Sequence, residues 1–352
     1  MRVFLGLILL LAFTLDARAR TIGEKAVENH IRPAYVRLAE AMDGLATATA
    51  KVCDGGQKDR AALDGAFKAA LLAWSGAEHL RFGPVQDENR YERFAFWPDP
   101  KGVGLKQIAA ALREKDASVT TREELAKKSV ALQGLTAFEA LFWGADAEKA
   151  SAGAEAKAFR CSFAKAIAAN LAQISGAVRD GWAAGDGFAA NLMAPGEGKP
   201  YRDDKEVLLE LFKAFRTNLQ QVRTVKLNRV LMGNPSEAQP RRAPYWRSGN
   251  SVAVVGANIA ALEDLFTKAG LIEIVQGAGT GQDRSTLDEF HLIEASLASL
   301  DKKPIADITG DLKSWERLNS VVFGLINIQT TGGNAIAEGA ELPMSFNALD
   351  GD

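Results

Sequence analysis

Three groups of residues in this chain have types and spacings that could do chemistry. The first is a carboxylate inside an apolar run. From Thr121 to Trp143 the periodicity predicts one helix, opened by a Thr121-x-x-Glu124 capping box. On that helix Leu125, Leu132, Thr136, Glu139 and Trp143 share a face, while Ala131, Leu135, Phe138 and Phe142 lie on the neighbouring one. The second half is apolar nearly all round, so the helix is expected at the centre of the fold. Gly134 within it costs about 1 kcal/mol against Ala, which close packing would explain. Glu139 then sits where an ionised carboxylate is costly unless it is paired or hydrogen-bonded. Its expected partners are arginines of two irregular loops, or a bound cation. A purely structural Glu–Arg pair meets the same demand, and both readings stay open.

The second group is those two loops. One begins Arg81-Phe82-Gly83-Pro84 and runs on through Arg90-Tyr91-Glu92-Arg93-Phe94-Ala95-Phe96-Trp97-Pro98-Asp99-Pro100. The other starts at Gly233 and carries Arg241-Arg242-Ala243-Pro244-Tyr245-Trp246-Arg247-Ser248-Gly249. Both interleave arginine, aromatic rings and proline. Guanidinium forks of this kind can hold an anionic or metal-chelate ligand at a cleft. The candidate contacts are Arg81, Arg93, Trp97, Arg242, Trp246 and Arg247, joined by Thr136 and Glu139 of the helix. Arginine stems packed on rings would equally well pin long loops to a bundle.

The third group is His291 and Glu294, spaced i, i+3 on one helix face. The pair could give two ligands to iron or another divalent metal, with Asp288 as a conceivable third. A solvated helical pair is the alternative, since a metal site needs a full ligand set. His30 and His79 are isolated and read as surface or satisfied histidines. There is no His-Glu-x-x-His, and three histidines with two cysteines cannot build a Cys/His zinc cage or an iron–sulfur cluster. Gly277-Ala278-Gly279-Thr280-Gly281 lacks a surrounding βαβ unit and reads as a connection between helices.

The elements that must position these residues are helices. Ala-, Leu-, Lys- and Glu-rich stretches predict helices near 22–52, 58–80, 104–115, 121–143, 151–184, 203–231, 251–269, 285–301 and 307–329, separated by Gly/Pro/Asp breaks. Pro33 should kink or restart the first. Only Leu271–Val275 reads as a short strand. Of the 352 residues, 47% are hydrophobic and 24% charged, which excludes global disorder. A net charge of −2 argues against a nucleic-acid partner.

Residues 1–19 read as a signal peptide. Arg2 supplies the positive start, Val3–Phe13 the apolar run, and Ala17-Arg18-Ala19 the cleavage site, with the cut after about Ala19. The apolar run is too short to span a bilayer, which takes about 20 residues, so a periplasmic or secreted protein without a transmembrane segment is expected. In an oxidising compartment the two cysteines, Cys53 and Cys161, read as a disulfide rather than two buried thiols. Closing a loop of that length is worth about 4–5 kcal/mol in chain-entropy terms. The breaker-rich run Ala194–Pro200 divides the mature chain into a first half, 20–194, and a second, 201–352. Leu135–Ala140 echoes Phe290–Ala295, a weak sign that the halves are related.

These residues together resemble the imelysin-like proteins of bacterial envelopes. The resemblance covers nearly the whole mature chain. It rests on Arg81-Phe82-Gly83-Pro84, Phe96-Trp97-Pro98-Asp99, Gly134 through Gly144, Arg160-Cys161, Pro244-Tyr245-Trp246-Arg247-Ser248-Gly249 and the ending Phe346–Asp352. It implies an all-α fold of two four-helix-bundle-like halves with a site between them, export, and a link to iron acquisition. The peptidase activity ascribed to the family rests on a Gly-x-His-x-x-Glu motif read as a metal site. Here Gly134 and Glu139 match that motif, but Thr136 stands at the histidine position. Threonine is a poor substitute for imidazole as a zinc or iron ligand. The expectation is therefore a periplasmic, non-catalytic binding or accessory protein in iron or metal acquisition, with an unknown small ligand or an envelope protein as partner. The alternatives are a metallopeptidase and an interaction scaffold with no small ligand.

Overall fold

Helix follows helix along the chain, as the Ala- and Leu-rich periodic stretches dictate, and no strand occurs among the described residues. A computed structural model describes residues 20–55, 59–144, 153–183 and 187–343. The segment 1–19, read above as a signal peptide with its cleavage site, and the ending Phe346–Asp352 lie outside the described residues.

The chain enters through α1 (Ile22–Ala26), whose Thr21 and Glu24 form a capping box. A π-helical turn, Val27–Ile31, leads into α2 (Arg32–Gly55). Pro33 is the second residue of α2, so the wide turn sits where a proline ring and its missing N–H must be accommodated. Next come α3 (Arg60–Ser75), α4 (Arg90–Phe94), α5 (Val103–Glu114), α6 (Arg122–Leu125), α7 (Gly134–Trp143), α8 (Ala154–Gly181) and α9 (Ala189–Met193). Beyond the Ala194–Pro200 turn run α10 (Asp204–Gln220), a second π-helical stretch Gln221–Asn228, α11 (Arg229–Leu231), α12 (Ser251–Lys268), α13 (Leu271–Gly277), α14 (Gln282–Ala298), α15 (Ile305–Gly310), α16 (Leu312–Ile328), a third π-helical turn Gln329–Gly333, and α17 (Asn334–Gly339).

Packing follows the small residues. The buried stripe Cys161, Ala164, Ala168, Leu171, Ser175 and Val178 of α8 repeats every three or four positions and lies against α2. The two helices run antiparallel. At one end Cys53 and Cys161 form the expected disulfide. At the other, Arg32 Nε donates to the Trp182 carbonyl at 2.7 Å. A second set of helices packs α14 against both α12 and α16, where a Cβ on Gly324 would stand 2.7 Å from Ile293. The sets meet where α12 lies on α3. α1 touches α9, α10 and α12.

Three expectations are corrected. The stretch 121–143 is not one helix: α6 ends at Leu125, a 3-10 turn covers Val130–Leu132, and Gln133 is extended before α7 begins. Leu125 and Leu132 therefore share no helix with Glu139. Thr121 makes no capping hydrogen bond with its side chain. Leu271–Val275 is helical, because the apolar run is short enough to fit either element and Gly270, at φ +94°, turns the chain into α13.

Candidate functional site

The break before α7 creates the site. Gly134 has φ +81°, and a Cβ there would stand 2.6 Å from the carbonyl oxygens of Arg93 and Phe94. Only glycine allows that approach, which brings the first loop against the start of α7. Asp99 then starts α5, its carboxylate accepting from Val103 N–H and Gly104 N–H, both at 2.8 Å. The second loop turns at Tyr245, which is buried with φ +53°, a conformation costing a non-glycine residue about 1–2 kcal/mol. Ser251 Oγ donating to Pro244 O at 2.8 Å and Asn250 N–H donating to Tyr245 O at 3.1 Å hold the turn.

The two loops, α5, α7 and the end of the second π-helical stretch enclose a cavity of about 270 Å³. One part of its lining is apolar: Phe96, Trp97, Leu105 and Ile108. Another is cationic: Arg229, Arg241, Arg242 and Arg247. Arg247 and Arg241 lie over the Trp246 ring, 4.5 and 5.7 Å from its centroid, so the indole orients both guanidinium groups. Four arginines thus border the same space as two acidic residues, Asp99 and Glu139.

Glu139 is 3% exposed. Its Oε1 accepts from Ser248 N–H at 2.9 Å and Ser248 Oγ–H at 2.7 Å, while Arg247 Nη1 stands 3.8 Å from Oε2. Burial pushes its carboxyl above the usual range, and the Ser248 donors and the Arg247 charge only partly offset this. The Thr136 hydroxyl also reaches the cavity and donates weakly to Phe96 O at 3.4 Å.

Of the residues singled out in the sequence, Trp97, Thr136, Glu139, Arg242, Trp246 and Arg247 line this cavity. Arg81 and Arg93 do not. Arg81 donates to Gln221 and stacks on Tyr91, and Arg93 donates to the Ala126 carbonyl at 2.9 Å, so both fasten loops. Each is directly next to an aromatic residue, as Arg247 is, which is why sequence could not separate them from it. Arg229 and Val225 were missed because they come from the π-helical stretch and its end, read as plain helix. Ser248 was the overlooked partner of Glu139. A serine directly after Arg247 was the available signal.

His291 lies on the surface, its Nε2 3.5 Å from Glu263 Oε1, and Glu294 sits beside Glu263. No group of three or more His, Cys, Asp or Glu that could hold a metal ion occurs among the described residues. At the cavity a resident catalytic metal would have one carboxylate oxygen already engaged by Ser248 and a threonine hydroxyl in place of an imidazole. That donor set does not fit zinc or iron. His30 and His79 are not isolated: both are buried, with Nε2 to Nε2 at 2.7 Å.

Comparison with known proteins agrees with this architecture. The family model described as Imelysin, of the peptidase M75 group, matches residues 31–325. No curated protein matches the chain. An imelysin-like protein from Psychrobacter arcticum superposes with a TM-score of 0.68 at 16% identity, covering 92% of this chain and 96% of its own. An iron-regulated protein A precursor from Parabacteroides distasonis superposes with a TM-score of 0.71 at 14% identity, covering 92% of this chain and 97% of its own.

Proposed function

The chain belongs to the imelysin family, and on that footing we propose that it is a non-catalytic periplasmic binding protein that serves iron or metal acquisition by holding a small anionic ligand, free or as a metal chelate, in the arginine-lined cavity. Residues 1–19 are then the export signal, and the disulfide fits the oxidising compartment. No described helix is long and apolar enough to cross a membrane. The iron-regulated protein A precursor supports the link to iron at the level of the family. The observation that carries the reading is the convergence of Arg229, Arg241, Arg242 and Arg247 on one cavity. Among the described residues none of the first three has a carboxylate partner, and Arg247 has only the 3.8 Å approach to Glu139. Guanidinium groups placed this way suit carboxylate or phosphate oxygens. Any metal arrives as cargo of the ligand.

The test is calorimetric titration of the mature protein with citrate, benzoate and inorganic phosphate, with ferric citrate as the chelate. At least one should bind saturably, weaken as salt is raised, and lose about tenfold or more in affinity in Arg229→Ala/Arg242→Ala. Saturable binding of none would sink the reading. So would chelator-sensitive cleavage of an unfolded protein substrate that Glu139→Gln abolishes, which would restore the peptidase.

A further inference from the structure

This inference rests on the anion-binding reading above and names the class of anion. It starts from an indole with nothing to do. All six tryptophans lie among the described residues. Trp74, Trp143 and Trp182 pack on neighbouring rings, Trp246 lies under Arg241 and Arg247, and Trp315 Nε1 donates to Leu231 O. Among the described residues Trp97 alone has a side chain with no ring, guanidinium or hydrogen-bond partner, and it is half-buried in the cavity wall. Phe96 beside it has no ring partner either, and Leu105, 45% exposed, continues the same apolar surface. An apolar wall with an unengaged indole suits a flat ring, which gains both burial and stacking there.

Glu139 supplies the second constraint. Its Oε1 is saturated by Ser248. Beyond Ser248 the carboxylate has support from the Arg247 backbone N–H, while the Arg247 guanidinium stands 3.8 Å from Oε2, beyond hydrogen-bond range. Oε2 therefore has room for a closer donor, and the carboxylate borders the cavity. An aliphatic polyacid would satisfy the arginines but leave the Trp97 wall unused. The third constraint is size. A cavity of about 150 Å³ takes benzene, so about 270 Å³ takes one ring with its polar substituents. We infer that the cavity binds a single-ring aromatic acid bearing a hydroxyl group, with the ring on the Trp97 wall, the carboxylate on the guanidinium groups and the hydroxyl donating to Glu139.

Calorimetric titration with 2,3-dihydroxybenzoate, benzoate and citrate at one ionic strength tests this. The dihydroxybenzoate should bind about tenfold or more tighter than either of the others. Trp97→Leu should weaken both aromatic acids about three- to tenfold and leave citrate unchanged. Glu139→Gln should shrink the preference for the hydroxylated ring over benzoate without weakening benzoate. If citrate binds as tightly as the dihydroxybenzoate, or Trp97→Leu weakens all three alike, the aromatic assignment is overturned while the anion reading stands. If none of the three binds, this inference falls; if inorganic phosphate and ferric citrate fail to bind as well, the anion reading falls with it. Should a variant fail to fold, the ranking of the three probes on the wild-type protein decides alone.

Discussion

Glu139 is held more by Ser248 than by Arg247. The arginine partner expected from the 241–247 stretch is there, but its guanidinium is 21% exposed and reaches only 3.8 Å from the carboxylate. Removing Glu139 therefore strands no buried cation, so the loss of about 3–5 kcal/mol that goes with breaking a buried ion pair does not apply. Glu139→Ala leaves Ser248 N–H without its acceptor and the Ser248 hydroxyl with only Tyr245 O at 3.2 Å, which costs about 1–3 kcal/mol. Glu139→Gln keeps an acceptor for both and should cost less. The pH dependence separates the variants further. Burial raises the folded-state pKa above the ordinary value of 4.5, so the folded protein favours the protonated acid. That contribution to stability is fully present below pH 4.5 and is lost as pH rises through the raised value. The stability difference between wild type and Glu139→Gln should thus shift toward the glutamine variant between pH 4 and pH 7. Urea midpoints of both proteins across that range measure it. A difference that grows in favour of the wild type as pH rises would show that the carboxylate is preferred in its ionised form.

At the scale of elements, the His30–His79 pair ties the π-helical turn Val27–Ile31 to the turn that follows α3. Both Nδ1 atoms are buried without a partner. Burial holds His30 near a pKa of about 3, helped by Arg37 and Lys268, and holds His79 well below 6.5, helped by His30 and opposed by Asp264. Above pH 6.5 both rings are neutral folded or unfolded, and nothing is lost. Below it the unfolded chain takes up protons that the folded chain cannot, so stability falls by up to about 1.4 kcal/mol per pH unit for each histidine. Chemical denaturation at pH 7.5, 6.0 and 5.0 should show that decline, and His30→Phe/His79→Phe should flatten it. A wild-type protein equally stable at all three would mean the rings are not enclosed. The pair was invisible in the sequence, because 49 residues separate its members and neither has a patterned neighbour. The long helices were legible from their 3.6-residue periodicity, α8 above all. The stretch 121–143 misled because its apolar residues keep that period through a break whose only local sign is Gly134. Its extended entry is fixed by the Arg93–Phe94 backbone, a contact between segments far apart in sequence.

At the scale of the molecule, the two helix sets are joined by a buried polar knot. Lys226 Nζ donates to Glu78 Oε1 and, at 2.7 Å, to Asn258 Oδ1. The Asn258 amide donates in turn to Glu78 Oε1 at 2.6 Å and to Ser75 O at 2.7 Å. The knot draws on the end of α3, the second π-helical stretch and α12. It matters for the cavity because Val225, next to Lys226, and Arg229, three residues on, line the wall. The same stretch is pinned again where Arg81 donates to Gln221. Removing one charge leaves the other buried and uncompensated. Lys226→Met alone should therefore cost about 3–5 kcal/mol, and Glu78→Gln alone should also be costly. The double variant Glu78→Gln/Lys226→Met removes both charges and should recover much of the loss, since a buried ion pair often does little better than neutral groups of similar volume. Titration of the double variant then separates stability from architecture. If the knot serves mainly to hold the two helix sets together, ligand affinity returns with stability. If it sets the register of the π-helical stretch, the double variant folds well yet binds more weakly, because Arg229 is no longer held against the cavity. Urea denaturation and titration with 2,3-dihydroxybenzoate on the four proteins of the cycle distinguish these outcomes. The geometry favours the second, since the shared helical stretch offers one face to the knot and another to the cavity.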